Sequence, residues 1–242
     1  MKFAILSDIH ANLEALQNVL RDIEQQGVEK IHFLGDVVGY GCNPNKCIKM
    51  VNEHCEIKLL GNHDYAAMGL ESTSSFNQIA QTSMEWTIAK LKKKSLEILA
   101  DFELQGTYLD YNLVHASPGH PEEWNYILNR EQAIAEFENF NESVCFMGHS
   151  HLPVIFIQDN DGNITQSNRK NLKLKDGSKY IVNVGSVGQP RDNDPRSCYV
   201  VVDHDSREVE YRRVEYDIEK VQEKMRKAML PSFLIERIAV GR

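Results

Sequence analysis

Apolar residues fall along this chain in short unbroken runs that alternate with stretches of helical periodicity. Lys2 to Ser7 ("KFAILS") reads as a buried strand. Asn12 to Gly27 follows with Leu13, Leu16, Val19, Leu20 and Ile23 at helical spacing and Gly27 as the stop. "KIHFLG" and "EIKLLG" repeat the strand pattern, each ending in glycine, with a short helix expected around Lys46 to Asn52 between them. That order, β-α-β-α-β, predicts a sheet with parallel strands.

Helical spacing returns from Ser74 to Ala100, and the second half then turns to strands. "FELQGTYLDYNLVHAS" predicts two strands turning near Asp110. "NLKLKDGSKYIVNVGS" predicts another pair turning at Asp176-Gly177, and "RSCYVVVD" with "REVEYRRVEYD" a late hairpin. Two sheets packed face to face with helices outside follow from this mixture. No internal repeat, low-complexity tract or Pro/Gly/Ser linker divides the chain, so residues 1–242 are expected to form a single domain. The helical pattern from Glu219 to Arg242 is expected to cover either the core or a second copy of the chain.

Composition narrows the classes. With 42% hydrophobic and 26% charged residues, the chain has enough apolar surface for a full core. Its 27 Lys and Arg against 35 Asp and Glu leave a formal charge of -8, and the basic run Lys92-Lys93-Lys94 reads as a solvated helix face, so no stable nucleic-acid binding is expected. Five cysteines without a C-x-x-C pair (Cys42, Cys47, Cys55, Cys145, Cys198) argue against a disulfide framework and a zinc ribbon. No apolar leader or membrane-length stretch is seen, and the expected location is cytoplasmic.

The chemistry collects at the ends of the predicted strands. "SDIHAN" places Asp8 and His10 after the first strand and "LGDVVGYG" places Asp36 after the second. "LGNHD" places Asn62, His63 and Asp64 after the third, "LVHAS" places His115, and "CFMGHSHLP" places His149 and His151. Side chains at the carboxyl ends of neighbouring strands converge in the crevice of an open α/β sheet. In an extended segment His149 and His151 project to one side, as do Asp8 and His10. Two such pairs with a further carboxylate, amide and imidazole exceed what one ion takes, and the natural partition is two ions sharing one carboxylate.

The ordered set Asp8-Ile9-His10, Gly35-Asp36 through Gly41, Gly61-Asn62-His63-Asp64, His115 and Gly148-His149-Ser150-His151 resembles the calcineurin-like metallophosphoesterase superfamily. "GSVGQPRDNDPRSCYVV" (residues 185–201) is similar to the tail of its small bacterial phosphodiesterase branch. The resemblance implies an α/β fold: a four-layer α/β/β/α sandwich of two mixed β-sheets flanked by helices. It implies one divalent ion on Asp8, His10 and His151, a second on Asn62, His115 and His149, and Asp36 bridging. Imidazole and oxygen donors suit Mn²⁺, Fe²⁺, Co²⁺, Ni²⁺ or Zn²⁺. The implied reaction is attack of a metal-bridging hydroxide on a small nucleotide-like phosphate ester or anhydride. His63, adjacent to Asn62, is the group expected to stabilise the developing charge or protonate the leaving group, oriented by Asp64.

Other motif residues carry two readings each. Asn12 is an N-cap or a substrate contact. Arg191 and Arg196 hold phosphate or pair with Asp192 and Asp194. Tyr40 and Trp124 stack a nucleobase or pack. A protein-interaction scaffold without catalysis is the alternative function, and the presence of His63 argues for the enzyme.

Overall fold

The computed structural model describes residues 1–242 except the side chain of Ser75. The chain begins β1 (Lys2–Leu6), α1 (Leu13–Gln25), β2 (Lys30–Phe33), α2 (Pro44–His54), α3 (Asn62–Ala67), α4 (Gln78–Lys90) and α5 (Lys93–Leu99). It continues with β3 (Gln105–Tyr108), β4 (Tyr111–Val114), α6 (Arg130–Glu136), β5 (Val144–Met147), β6 (Val154–Gln158), β7 (Ile164–Ser167), β8 (Asn171–Lys173) and β9 (Lys179–Asn183). β10 (Ser197–Asp203), β11 (Glu208–Val214), α7 (Ile218–Lys227) and α8 (Ser232–Arg237) complete it.

Two mixed sheets result. One has the order β2-β1-β10-β11-β8, with only β1 and β2 parallel; the other has the order β3-β4-β5-β9-β6-β7, with β4, β5 and β9 parallel. The period-2 alternation of strand side chains separates three cores. Phe3, Ile5, Val200 and Val202 point inward to meet Val144, Phe146, Tyr180 and Val182 of the other sheet. Ala4, Leu6, Tyr199 and Val201 point outward beneath α1, α2, α7 and α8. Cys145, Met147 and Ile181 point out under α6. Three buried interfaces mean four layers, α/β/β/α. Because each sheet is covered on both faces, strands such as "FAIL" and "YVVV" are apolar at every position rather than at alternate ones.

Local signals set most of the ends. Asn12 caps α1, its side chain accepting the Ala15 N–H at 3.1 Å, and Gly27 turns the chain away at φ +66°. The carboxy-terminal segment lies on the core, where Val221, Met225, Leu230, Leu234, Ile235 and Ile238 are buried with α1 and α2 residues. Lys92, Lys93 and Lys94 are exposed. Among the described residues no helix is long and apolar enough to cross a membrane.

Three expectations need correction. "EIKLLG" forms only isolated parallel bridges, Phe33 to Lys58 and Leu59 to Glu103; the chain leaves β2 almost at once because Gly61 is drawn into the cleft loops. The helical stretch from Ser74 divides into α4, capped by Asn77, and α5. The segments either side of Asp176-Gly177 do turn there, but they are not a pair. β8 bonds to β11 while β9 bonds to β5 and β6. The turn carries the chain from one sheet to the other, so Leu172 and Leu174 meet Tyr180 and Val182 across the central core.

Candidate metal centre

β1, β2, β4 and β5 each hand on at their carboxyl ends to a loop bearing polar side chains, and these loops meet. The loops are bent in a particular way: Asp8 (φ 55°), His10 (49°), Asp36 (60°), His149 (65°) and His151 (60°) all adopt the left-handed region that non-glycine residues rarely occupy. This corrects the extended geometry expected for D-x-H and H-x-H. The left-handed kinks, rather than strand alternation, aim these side chains, and they send His149 and His151 to different partners.

Asp8 Oδ1 lies 3.3 Å from His151 Nε2 and 3.8 Å from His10 Nε2, while Asp8 Oδ2 accepts the His149 N–H at 3.0 Å. Asp36 Oδ2 lies between the two halves, 3.6 Å from His10 Nε2 and 3.5 Å from His115 Nε2; its Oδ1 accepts the His63 N–H at 2.9 Å. Donor atoms of Asp8, His10 and His151, of Asp36, His115 and His149, and of His10, Asp36 and His63 each fall within 4.8 Å of one another.

Close packing of backbone makes this convergence feasible. A Cβ on Gly61 would lie 2.0 Å from Asp36 Oδ1, and one on Gly148 would lie 2.0 Å from Ser7 Oγ and 2.5 Å from Asp8 Oδ2. Neither glycine has a positive φ. They are needed for room rather than for bending.

Polar atoms in the centre are short of partners. Asp8 Oδ1, Asn62 Oδ1, His115 Nε2 and His149 Nε2 are buried without a hydrogen bond, an arrangement that costs free energy unless something else satisfies them. The His10 and His151 rings are more telling. His10 Nδ1 faces the Val38 carbonyl at 2.9 Å and His151 Nδ1 faces that of Gln189 at 2.6 Å, so each ring proton belongs on Nδ1. Their Nε2 atoms then present lone pairs to each other at 3.0 Å. Burial above all holds both imidazoles well below the usual histidine range, which excludes a proton between them at neutral pH. A cation is what the pair accepts. His115 has the same outer support, with Nδ1 on the Leu34 carbonyl at 3.0 Å, as ligating histidines usually do.

The field differs around the centre. Burial lowers His149 to about 3, with His115 adding to it. Burial alone would lower His115 too, but Asp36 beside it, with Asp8 and Asp64, raises it to about 9. Burial would raise Asp36, yet His115, His63 and His10 hold it well below the usual carboxylate range. His115 and Asp36 are thus a charge pair into which a divalent ion can substitute for the proton.

Residues 1–207 match the calcineurin-like phosphoesterase superfamily domain. The chain belongs to this superfamily. It is 39% identical over 99% of its length to an uncharacterized Methanocaldococcus jannaschii protein, of which the match covers 98%. The crystal structure of a metallophosphoesterase from Sphaerobacter thermophilus superposes with a TM-score of 0.90 at 39% identity, covering 100% of this chain and 99% of that one. A hypothetical protein from Pyrococcus horikoshii shares the fold, with a TM-score of 0.79 at 18% identity over 100% of this chain and 98% of that one. The buried His and Asp groups fit the dinuclear metal site typical of the superfamily.

Six of the seven sequence-expected ligands and His63 fall within these donor groups and Asn62 lines the cleft beside them, but two neighbours do other work. Asp64 makes no bond to His63: its carboxylate accepts N–H bonds from Asp36 (2.7 Å), Val37 (3.2 Å), Gly61 (3.1 Å) and Val38 (3.1 Å). His63 Nδ1 has no partner. Asn12 does not line the cleft either; Oδ1 caps α1 and Nδ2 donates to the Gly188 carbonyl at 2.9 Å. The expected role of Asp64 gives way because backbone donors lie nearer than His63, while Asn12 takes the capping role that is one of its two readings.

A cleft of about 280 Å³ opens over the centre, lined by Tyr40, Asn62, His63, Glu71, Phe76, Asn77, Trp124, Tyr126, His149, His151 and Arg191 among others. Tyr40 packs its ring 4.6 Å from both His10 and His63, with the Arg191 guanidinium 5.9 Å above it. The two arginines separate: Arg196 pairs with Asp194 at 2.6 Å, and Arg191 enters the cleft. Trp124 donates Nε1–H to Glu71 at 2.9 Å. Sequence reasoning missed Phe76, 4.9 Å from His63, and Tyr126, stacked on His149 at 4.0 Å and 20°. Their aromatic character was visible, but nothing local tied them to distant histidines.

Proposed function

We propose that this chain is a hydrolase in which Asp8, His10 and His151 hold one divalent ion, Asn62, His115 and His149 hold a second, and Asp36 serves both. Its substrate is a small nucleotide-like phosphate ester or anhydride. The observation that carries the reading is the His10–His151 contact, two lone-pair nitrogens 3.0 Å apart inside a ring of unpartnered buried acceptors. Two bound ions of this kind supply an activated water and positive charge for phosphoryl displacement.

The chain's own groups do the rest. Asp36 takes the shared position because Oδ2 faces both halves while Oδ1 is tethered by His63 N–H. His63 stands between Tyr40 and Phe76 with a ring nitrogen uncommitted, placed to move a proton at the leaving oxygen. Arg191, whose Nε is buried and unpartnered, orients the phosphate. Phe76, Trp124 and Tyr126 wall the remaining cleft, leaving room for a compact substrate rather than a protein. The acidic overall charge favours no polyanionic macromolecule.

Hydrolysis of bis-p-nitrophenyl phosphate with Mn²⁺, Ni²⁺ or Mg²⁺ tests this. Turnover is expected, and in ¹⁸O-labelled water a single turnover places the label in the phosphate product. No turnover by protein shown to hold two ions refutes the proposal.

A further inference from the structure

The loop Gln189 to Asp194 is suspended between two anchors. At its start, the Gln189 carbonyl receives His151 Nδ1–H at 2.6 Å and the Arg191 N–H reaches the His151 carbonyl at 3.3 Å. At its end, the Asn193 N–H donates to the Gly241 carbonyl at 2.8 Å, and Arg242 Nε donates to Asn193 Oδ1 at 3.1 Å. Gly241 fits against this loop only as glycine: φ is +67°, and a Cβ would lie 2.7 Å from the backbone N and C of Asp194. The last turn is in turn tied to α8, where Arg237 Nε donates to the Arg242 carbonyl and Leu234, Ile235 and Ile238 are buried in the same core as Tyr40.

Charges on the loop are balanced except at one place. Asp192 pairs with Arg213 and Asp194 with Arg196. Arg191 makes no ion pair among the described residues; it donates to Gln189 Oε1 at 3.0 Å and faces the Tyr40 and Tyr126 hydroxyls, and its Nε is buried without a partner. A half-buried guanidinium kept from carboxylates is poised for an incoming anion. Arg237 adds positive charge on the same side, lowered to about 10 by burial and by Arg191 facing it.

We infer that the carboxy-terminal turn Gly241–Arg242 is a positioning element that fixes the Asn193 end of this loop and thereby sets Arg191 to receive the substrate's phosphate. Gly241 and Arg242 lie beyond residues 1–207, which match the superfamily domain. The inference rests on reading the cleft as a phosphoester site.

Calorimetric titration of inorganic phosphate into metal-loaded protein tests it, alongside KM and kcat for bis-p-nitrophenyl phosphate. Arg191→Ala should weaken phosphate binding roughly tenfold or more, the size of a lost charge-assisted hydrogen bond. Gly241→Val should weaken it about fivefold on the same scale, raise KM more than it changes kcat, and leave metal content at two ions. The double variant should bind no more weakly than Arg191→Ala alone. Asn193→Gly, which keeps the left-handed backbone and removes only the acceptor for Arg242, should act in the same direction and decides the matter if Gly241→Val does not fold. Faster amide hydrogen exchange at Asn193 in metal-free Gly241→Val reports the released loop independently of activity. Wild-type phosphate affinity in Gly241→Val and Asn193→Gly, or an effect that adds to that of Arg191→Ala, overturns the positioning role while leaving the phosphoesterase reading intact. A wild-type protein that holds two ions yet binds no phosphate overturns both.

Discussion

Asp64 Oδ2 accepts the backbone N–H of Asp36 at 2.7 Å, joining the third motif of the chain to the second. The same carboxylate takes N–H bonds from Val37, Val38 and Gly61, so it holds Asp36 in its left-handed conformation as a capping group would. Burial and the Asp36 charge raise Asp64 to about 7, against the backbone donors that favour its ionised form. The four bonds describe an anchor of the cleft loop rather than an orienter of His63.

Asp64→Ala should therefore leave four buried N–H groups short of an acceptor and destabilise the protein by roughly 2–4 kcal/mol. Asp64→Asn should rescue part of this, since its amide oxygen can take the Oδ2 position and keep the Asp36, Val37 and Gly61 bonds, leaving only the Val38 N–H against the amide nitrogen. Urea unfolding with metal titration checks this: Asp64→Ala should lose stability and bind metal more weakly, with Asp64→Asn between it and wild type, whereas an Asp64→Ala protein matching wild type would contradict the anchoring role.

His63→Ala should behave in the opposite way. Removing an uncommitted ring should lower kcat by about 10²–10⁴-fold while metal content stays at two ions. His151→Ala or His115→Ala should instead lose metal. Elemental analysis of the purified variants beside their rates separates the two classes, and loss of an ion from His63→Ala would make it a ligand.

Divalent metal should stabilise the fold strongly, because the facing lone pairs of His10 and His151 and the bare Asp8 Oδ1 are costs carried by the metal-free protein. An ion at 1,000 times its dissociation constant adds about 4 kcal/mol. The melting temperature should rise with Mn²⁺ and fall on chelation, and the response should shrink in His10→Ala, which removes a donor from one of the two ion positions. An unchanged melting temperature in protein proven to bind metal would refute this.

His32 offers a pH test away from the centre. It is wholly buried on β2 against Tyr108 (4.2 Å) and Phe3 (5.6 Å), both ring nitrogens unpartnered. Burial lowers it to about 4, with Glu56 opposing and Lys30 assisting. The folded value lies below the unfolded one of about 6.5, so the unfolded chain binds more protons between them. This contribution is complete above pH 6.5 and lost as pH falls toward 4. Wild type should lose on the order of 2–3 kcal/mol more than His32→Phe across that window, measured by urea unfolding at several pH values; parallel curves would disprove it.

Order and spacing along the chain already carried the superfamily and the sandwich of two sheets, and they named the seven candidate ligands and His63 that the cleft brings together. Each strand's apolar run and each following polar motif is a local signal, and the strand termini of an α/β fold bring such motifs together. What only the tertiary structure decided were the properties that depend on competing partners across long separations. Asp64 and Asn12 had backbone groups nearer than the cleft. His149 and His151, which the resemblance already divided between two ions, are aimed by left-handed backbones rather than by strand alternation, and the Asp8 carboxylate accepts the His149 N–H from far along the chain. Arg191 entered the cleft and Arg196 did not, Arg196 pairing instead with Asp194 on the same loop.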